Sequence, residues 1–324
     1  MNRILITILL LLLNVTCKGQ NMKQVMTQEQ QRERLIQLAK EERSKYQDYS
    51  EKPMYYLQIN KKACRLIAKV NDIPLGYYFR KDGGETMLLP INDYLFASGE
   101  HTFSVDVYPR TNEEVISNEA WVNVKLVYLP EESMSFVPNS QVLEEINLPT
   151  DIGAQKLSFY TDSMAFKATV PFDYSHILRD AQLLTDIPDL ELKVVERFKE
   201  IRQYFVDCDA VGFSQDRHLA HPLAAMSYLS EDDLIRVITR RLDDRFNSDQ
   251  IDRKVLEIED YDMVICGYGK FVLLRHKPSL SNIIRITYFD SEEKKKENPK
   301  NFWTFTHFVV LHMPKGSDKL EIFY

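Results

Sequence analysis

The sequence predicts a mixed β and α+β protein: an N-terminal antiparallel β-sandwich followed by a C-terminal domain of helices packed on an antiparallel sheet. Three observations predict it. Between Met54 and Val170, apolar residues recur with a period of two between clusters of turn formers, which marks half-buried strands. From Pro188 to Leu242 the apolar period becomes helical. From Lys254 onward, short apolar runs return. A length of 324 residues suits two domains at roughly 100–200 residues each. The expected divisions are a signal segment at 1–19, a polar helical arm at 20–53, the sandwich at 54–171 and the α+β domain at 172–324.

The first element is an address. Arg3 precedes the run Ile4 to Leu13, which is apolar except for Thr7. A bilayer span takes roughly 20 apolar residues, so this run is too short to cross but suits a secretory signal. Two readings of its end compete. In one, Val15-Thr16-Cys17 resembles a loose lipobox, and Cys17 becomes the lipidated first residue of a bacterial lipoprotein. Asn14 stands where that pattern usually has Leu, and Thr16 departs from its Gly, Ala or Ser. In the other, a signal peptidase cuts after Gly19 and releases a soluble periplasmic or secreted protein. The preferred expectation is a cell-envelope protein held on its membrane through lipid at Cys17. An uncleaved N-terminal anchor is the third reading.

Residues 21–52 are polar and charged. Thr27-x-x-Gln30 is a capping box, and the helix after it carries only the thin stripe Leu35, Leu38 and Ala39. This predicts a solvated arm. Strands are then expected around Tyr55–Ile59, Leu66–Val70, His101–Val107, Val122–Tyr128 and Met164–Val170. Asn71-Asp72, Asp82-Gly83-Gly84 and Ser98-Gly99-Glu100 are the turns between them. Short strands so punctuated read as a sandwich.

The segment Leu89-Pro90-Ile91-Asn92-x-Tyr94-Leu95-x-x-x-Gly99-Glu100-His101-x-Phe103-x-Val105-x-Val107 resembles one found in Ig-like and jelly-roll accessory domains. It is also similar to uncharacterised exported (lipo)proteins of Bacteroidetes-type bacteria. The resemblance implies the sandwich and brings no catalytic residue with it.

In the second half, Val194, Val195, Phe198, Ile201 and Phe205 form one helical stripe. Ser230-x-x-Asp233 opens another helix, with Leu234, Val237, Ile238 and Leu242 as its buried face. Strands are expected at 255–258, 263–268, 271–275, 283–289, 303–313 and 320–324, with 291–298 as a charged hairpin loop.

Composition and motifs narrow the chemistry. Ten glycines in 324 residues count against folds built on glycine-rich phosphate loops or propeller blades. A net charge of −7 argues against a broad nucleic-acid surface. No phosphate loop, dinucleotide fingerprint, zinc helix or nucleophile elbow occurs. No cofactor is implied. Cys64, Cys208 and Cys266 are too far apart for a compact zinc motif; export permits a disulfide, and three buried apolar thiols is the plainer reading.

Four groups of residues are worth following. His218 and His221, three apart, would share a helix face and could bind a divalent metal with a carboxylate such as Asp216, or do acid–base work, although Pro222 follows at once and reads as a loop or a helix start. His307 and His312 lie on opposite faces of one regular strand, with His307 beside Trp303 and Phe305. Arg236, Arg240, Arg241 and Arg245 alternate with Asp232, Asp233, Asp243 and Asp244, which reads as a solvated helix face or as a surface for an anionic ligand or acidic partner. Tyr55, Tyr56, Tyr77, Tyr78 and Tyr94 read as sheet packing, or as contacts to a protein or a glycan. The functional expectation is a non-catalytic envelope binding or assembly protein with an unidentified protein partner. A periplasmic immunity or inhibitor protein and an unfamiliar hydrolase or metal-dependent enzyme are the alternatives.

Overall fold

Thr27 opens the first described helix of the computed structural model, which describes residues 26–79, 81–217 and 220–324. Its hydroxyl accepts from the Gln30 amide at 3.2 Å, and the Gln30 side chain accepts from the Thr27 amide at 3.0 Å. This is the expected capping box, and it starts α1 (Gln28–Arg43). The helix differs from a solvated arm. Leu35 and Ala39 are buried, and Gln31 is pinned at both ends of its amide. Its Nε2 donates to the Cys208 carbonyl at 2.9 Å, and its Oε1 accepts from the Ala210 amide at 2.8 Å. Helices of the second half cover the stripe: Leu35 joins their main apolar cluster, and Ala39 packs with Ala224 and Leu234. Cys17 and the rest of the signal segment lie outside the described residues.

The sandwich follows as β1 (Met54–Lys62), β2 (Arg65–Val70), β3 (Ile73–Phe79), β4 (Glu85–Pro90), β5 (Gly99–Tyr108), β6 (Trp121–Leu129), β7 (Gln141–Asn147) and β8 (Tyr160–Ala168). The strands form two antiparallel sheets, in the orders β4-β1-β6-β7 and β3-β2-β5-β8. Register follows the apolar alternation. Leu57 faces Leu126 and Ile59 faces Val124 in one sheet, while Leu66 faces Val107 and Ala68 faces Val105 in the other. All eight of these side chains are buried between the sheets. The strands that alternation missed include β4 and β7, both at sheet edges, where few residues are buried. Tyr55 and Tyr94 are core residues, and half-buried Tyr56 meets Phe136 edge-on at 5.5 Å.

The second half begins with α2 (Leu190–Val206), α3 (Ala210–Asp216), α4 (Ala220–Met226) and α5 (Glu231–Arg245). Ser230 caps α5 reciprocally with Asp233, as its sequence predicts. Strands β9 (Ile251–Val255), β10 (Tyr261–Cys266), β11 (Phe271–His276), β12 (Ser281–Asn282), β13 (Ile284–Phe289), β14 (Trp303–His307), β15 (Leu311–His312) and β16 (Glu321–Ile322) complete the chain. They pair as β10-β11-β15-β16, with β12 beside β11, and as β14-β13-β9. Val194, Phe198, Ile201 and Phe205 of α2 pack into one cluster with Val272, Leu274 and Ile286 of these sheets.

Several expectations change. The strand expected at 255–258 lies at Ile251–Val255 as β9, and Val237, expected in the buried face of α5, is exposed. The run 303–313 is not one strand: β14 pairs with β13, and β15 pairs with β11 and β16. The charged segment 291–298 is not a bare loop. Ser291 Oγ accepts from the Lys294 amide at 3.2 Å and starts the short helix α6 (Glu292–Glu297).

The halves share apolar surface. Phe96 of the sandwich lies 6.4 Å from Phe271 and 5.6 Å from Phe323, ring to ring. Cys64, Cys208 and Cys266 are free thiols. Burial pushes the Cys64 thiol up to about 11, so it is a protonated packing group. Among the described residues no helix is long and apolar enough to cross a membrane.

Candidate functional site

Helix α5 sorts its four arginines by face. Arg236 and Arg240 point to solvent and pair with Asp233 at 2.5 Å and Asp244 at 3.4 Å. Arg241 and Arg245, one turn apart, turn inward. Arg217 joins them from the segment where the chain leaves α3. The Nε–H groups of all three lie out of solvent and have no hydrogen-bond partner among the described residues. Among the described residues no carboxylate forms an ion pair with any of them, in contrast to Arg236 and Arg240.

The electrostatic consequences are consistent. Burial lowers the Arg217 pKa to about 10, with Arg245 adding to the effect and Tyr324 and Glu42 opposing it. Burial, then the charges of Arg217 and Arg245, pushes Arg241 well below the usual guanidinium range. Burial also lowers Arg245. Arg245 Nη1 donates to His307 Nδ1 at 3.1 Å, which leaves the His307 proton on Nε2. Burial and the three arginines push the His307 pKa well below the ordinary value, so the ring is neutral. Phe205 and Phe213 hold that ring between them, each centroid 5.0 Å away.

Two cavities meet at these side chains. A strand-side chamber of about 490 Å³ is lined by the three arginines, His307, Asn282, Thr304 and Thr306 and, among the described residues, by no acidic one. A helix-side chamber of about 540 Å³ lies between α1, α4 and α5, with Leu38, Leu223 and Ile238 among its apolar walls. Arg217, Arg241 and Tyr324 line both. Tyr324 stacks on Tyr94 at 5.0 Å and donates its hydroxyl to the Asp93 carbonyl at 2.9 Å. Burial raises the Asp93 carboxyl to about 7 where it faces the helix-side chamber. The walls therefore come from the sandwich, the helices and the last strands together. Joints between such units are where ligand cavities most often form.

Asp216, the carboxylate of the suggested metal group, is engaged by Arg197 Nη2 at 2.6 Å. Arg197 also donates to the Leu320 carbonyl at 3.0 Å, so the pair ties α3 to α2 and the last strands. His218 lies outside the described residues, and for His221 only its place in α4 is described. Among the described residues no three His, Cys, Asp or Glu are grouped to hold a metal ion. His312 lies in a different sheet from His307.

A second constellation escaped sequence reading: His276 Nδ1 lies 2.6 Å from Ser279 Oγ. It resembles a nucleophile and its base, yet Arg285 Nη1 occupies His276 Nε2 at 3.1 Å. The proton then sits on Nδ1 and is donated to the serine, the reverse of what activation requires.

Of the arginine site, sequence reading found Arg241 and Arg245 as part of a charge pattern and His307 as a lone histidine. It missed Arg217, Asp93 and Tyr324, which carry no local signal. No family model, curated protein or solved structure matches the chain.

Proposed function

We propose that this chain is a non-catalytic binding protein of the cell envelope, tethered through lipid at Cys17, that captures a small anionic ligand in the arginine cleft. One observation carries the ligand class: three guanidiniums converge on a chamber with no acidic residue among its described lining. Withdrawing a charge from water costs roughly several kcal/mol unless a partner answers it. A bound anion answers three at once. The overall charge of −7 turns away extended polyanions, while a small anion in the chamber feels mainly the nearby arginines, because screening sets in within about 8 Å.

The test is thermal unfolding of the full chain, purified in detergent, against phosphate, sulfate and citrate at low and high sodium chloride. Stabilisation by at least one anion, weakened by salt and abolished in Arg217→Met, supports the reading. Indifference to every anion removes it. Mass spectrometry of the same sample, beside Cys17→Ala, reports whether Cys17 carries lipid.

An enzymatic reading is favoured by one feature. Asp93 is held near pKa 7 beside the cleft, where a general acid would be useful. Turnover of a bound ester, lost in Asp93→Asn, would replace the non-catalytic reading.

A further inference from the structure

We propose that the strand-side chamber binds a phosphate monoester carried on an uncharged ring. The inference rests on the anion-capture reading and names its ligand.

The head follows from charge and shape. Arg217 approaches from the end of α3, and Arg241 and Arg245 come from α5. A planar carboxylate matches one guanidinium fork, whereas a tetrahedral oxyanion offers three outward oxygens to donors from different directions. The neutral His307 leaves the count at three positive charges. A phosphate monoester carries about −1.5 to −2 at pH 7 and answers about half or more of that charge. A sulfate monoester, with a single negative charge, answers less. Thr304 and Thr306 also line the chamber, Thr306 Oγ1 accepting from Asn282 Nδ2 at 3.3 Å, and a threonine hydroxyl turned to the head would add a neutral donor.

The body follows from what remains of the chamber. About 490 Å³ is several times the bulk of a phosphate head. Half-buried Phe305 and Phe308 line it too, with Gly76 and Tyr324, and supply aromatic rings against which a sugar or an aromatic group can pack. Phe305 is braced by Tyr288, stacked at 5.7 Å, and Phe308 by Tyr324 at 5.5 Å. Gly76 backs Phe308. A Cβ at Gly76 would fall 2.7 Å from Phe308 Cδ1, and its φ of +69° disfavours any side chain. A larger residue there would drive Phe308 into the ligand's space.

Titration calorimetry of the full chain with phenyl phosphate, inorganic phosphate, phenyl sulfate, phenol and citrate tests this. Phenyl phosphate should bind more tightly than inorganic phosphate and at least tenfold more tightly than phenyl sulfate, and phenol should not bind. Its affinity should fall below about pH 6 as the ester gains a proton. Arg241→Met should weaken it at least tenfold with unchanged circular dichroism, and Thr304→Val should weaken it several-fold. Gly76→Val should reduce phenyl phosphate binding more than inorganic phosphate binding. Equal affinity for phenyl sulfate, or a folded Arg241→Met that binds as the parent does, would overturn the inference. Binding of citrate alone would overturn it and leave anion capture standing. Binding of none removes both.

Discussion

Arg241 pays no part of its desolvation back through a carboxylate, and removing it should show that. In ligand-free protein, Arg241→Met relieves a half-buried charge beside two like charges. The melting temperature should hold or rise, at roughly 2–4 °C per kcal/mol for a chain of this size class, while anion stabilisation disappears. A fall of several degrees would mean that the guanidinium is a structural partner. Two other residues set opposite pH limbs. Asp93 titrates near 7 when folded, above the usual carboxylate range near 4. Between those values the folded state holds the extra proton, so stability falls as pH rises through the window. Asp93→Asn should therefore melt higher than the parent at pH 8 and equal it near pH 4. Among the described residues neither ring nitrogen of His312 is hydrogen-bonded, Glu321 coming only to 3.9 Å from Nε2, and burial lowers its pKa to about 4. The unfolded state takes the proton first, so stability falls as pH drops from about 6.5 toward 4. His312→Phe, between Phe271 and Phe323, should flatten that acid limb; an unchanged limb in melts across this range would remove His312 as its cause.

At the scale of elements, α1 and α5 show how far a local pattern reaches. Both capping boxes were legible, because the four residues that make each one are neighbours in sequence. The destination of α1 was not. Its three-residue stripe is equally compatible with a solvated arm and with a helix docked on one narrow face. Docking predicts costs that an arm would not have. Leu35→Ala should lose roughly 2–5 kcal/mol in urea unfolding. Gln31→Ala should lose about 1–3 kcal/mol by leaving the Ala210 amide and Cys208 carbonyl unpaired. Unchanged midpoints in both would restore the arm. On α5 the outward pairs of Arg236 and Arg240 are exposed, so alanine at either should change stability by under about 1 kcal/mol and leave anion binding intact.

For the whole molecule, the shared core sets cooperativity. Phe79, Phe96 and Phe103 of the sandwich belong to the same buried cluster as Phe271, Val310 and Phe323. Unfolding either half exposes apolar surface of the other, so the halves should melt together. The chain has two tryptophans, Trp121 in β6 and Trp303 in β14. Urea curves followed by fluorescence in Trp121→Phe and Trp303→Phe, each corrected for its shift in stability, should superimpose with curves from circular dichroism. Separate midpoints would make the halves independent domains.

The sequence by itself determined the class of each half, most of the strands and helices, and the two capped helix starts. Those depend on periodicity and on contacts within one or two turns, which neighbouring residues specify. Edge strands β4 and β7 escaped because a strand covered on little of its surface needs little alternation. Only the tertiary structure decided which arginines of α5 face solvent and which face a cavity, since all four carry the same alternating local pattern. It also brought Asp93 to Tyr324, 231 residues away. That meeting depends on how the sandwich seats against the last strands, a matter of packing between distant segments that no local period encodes.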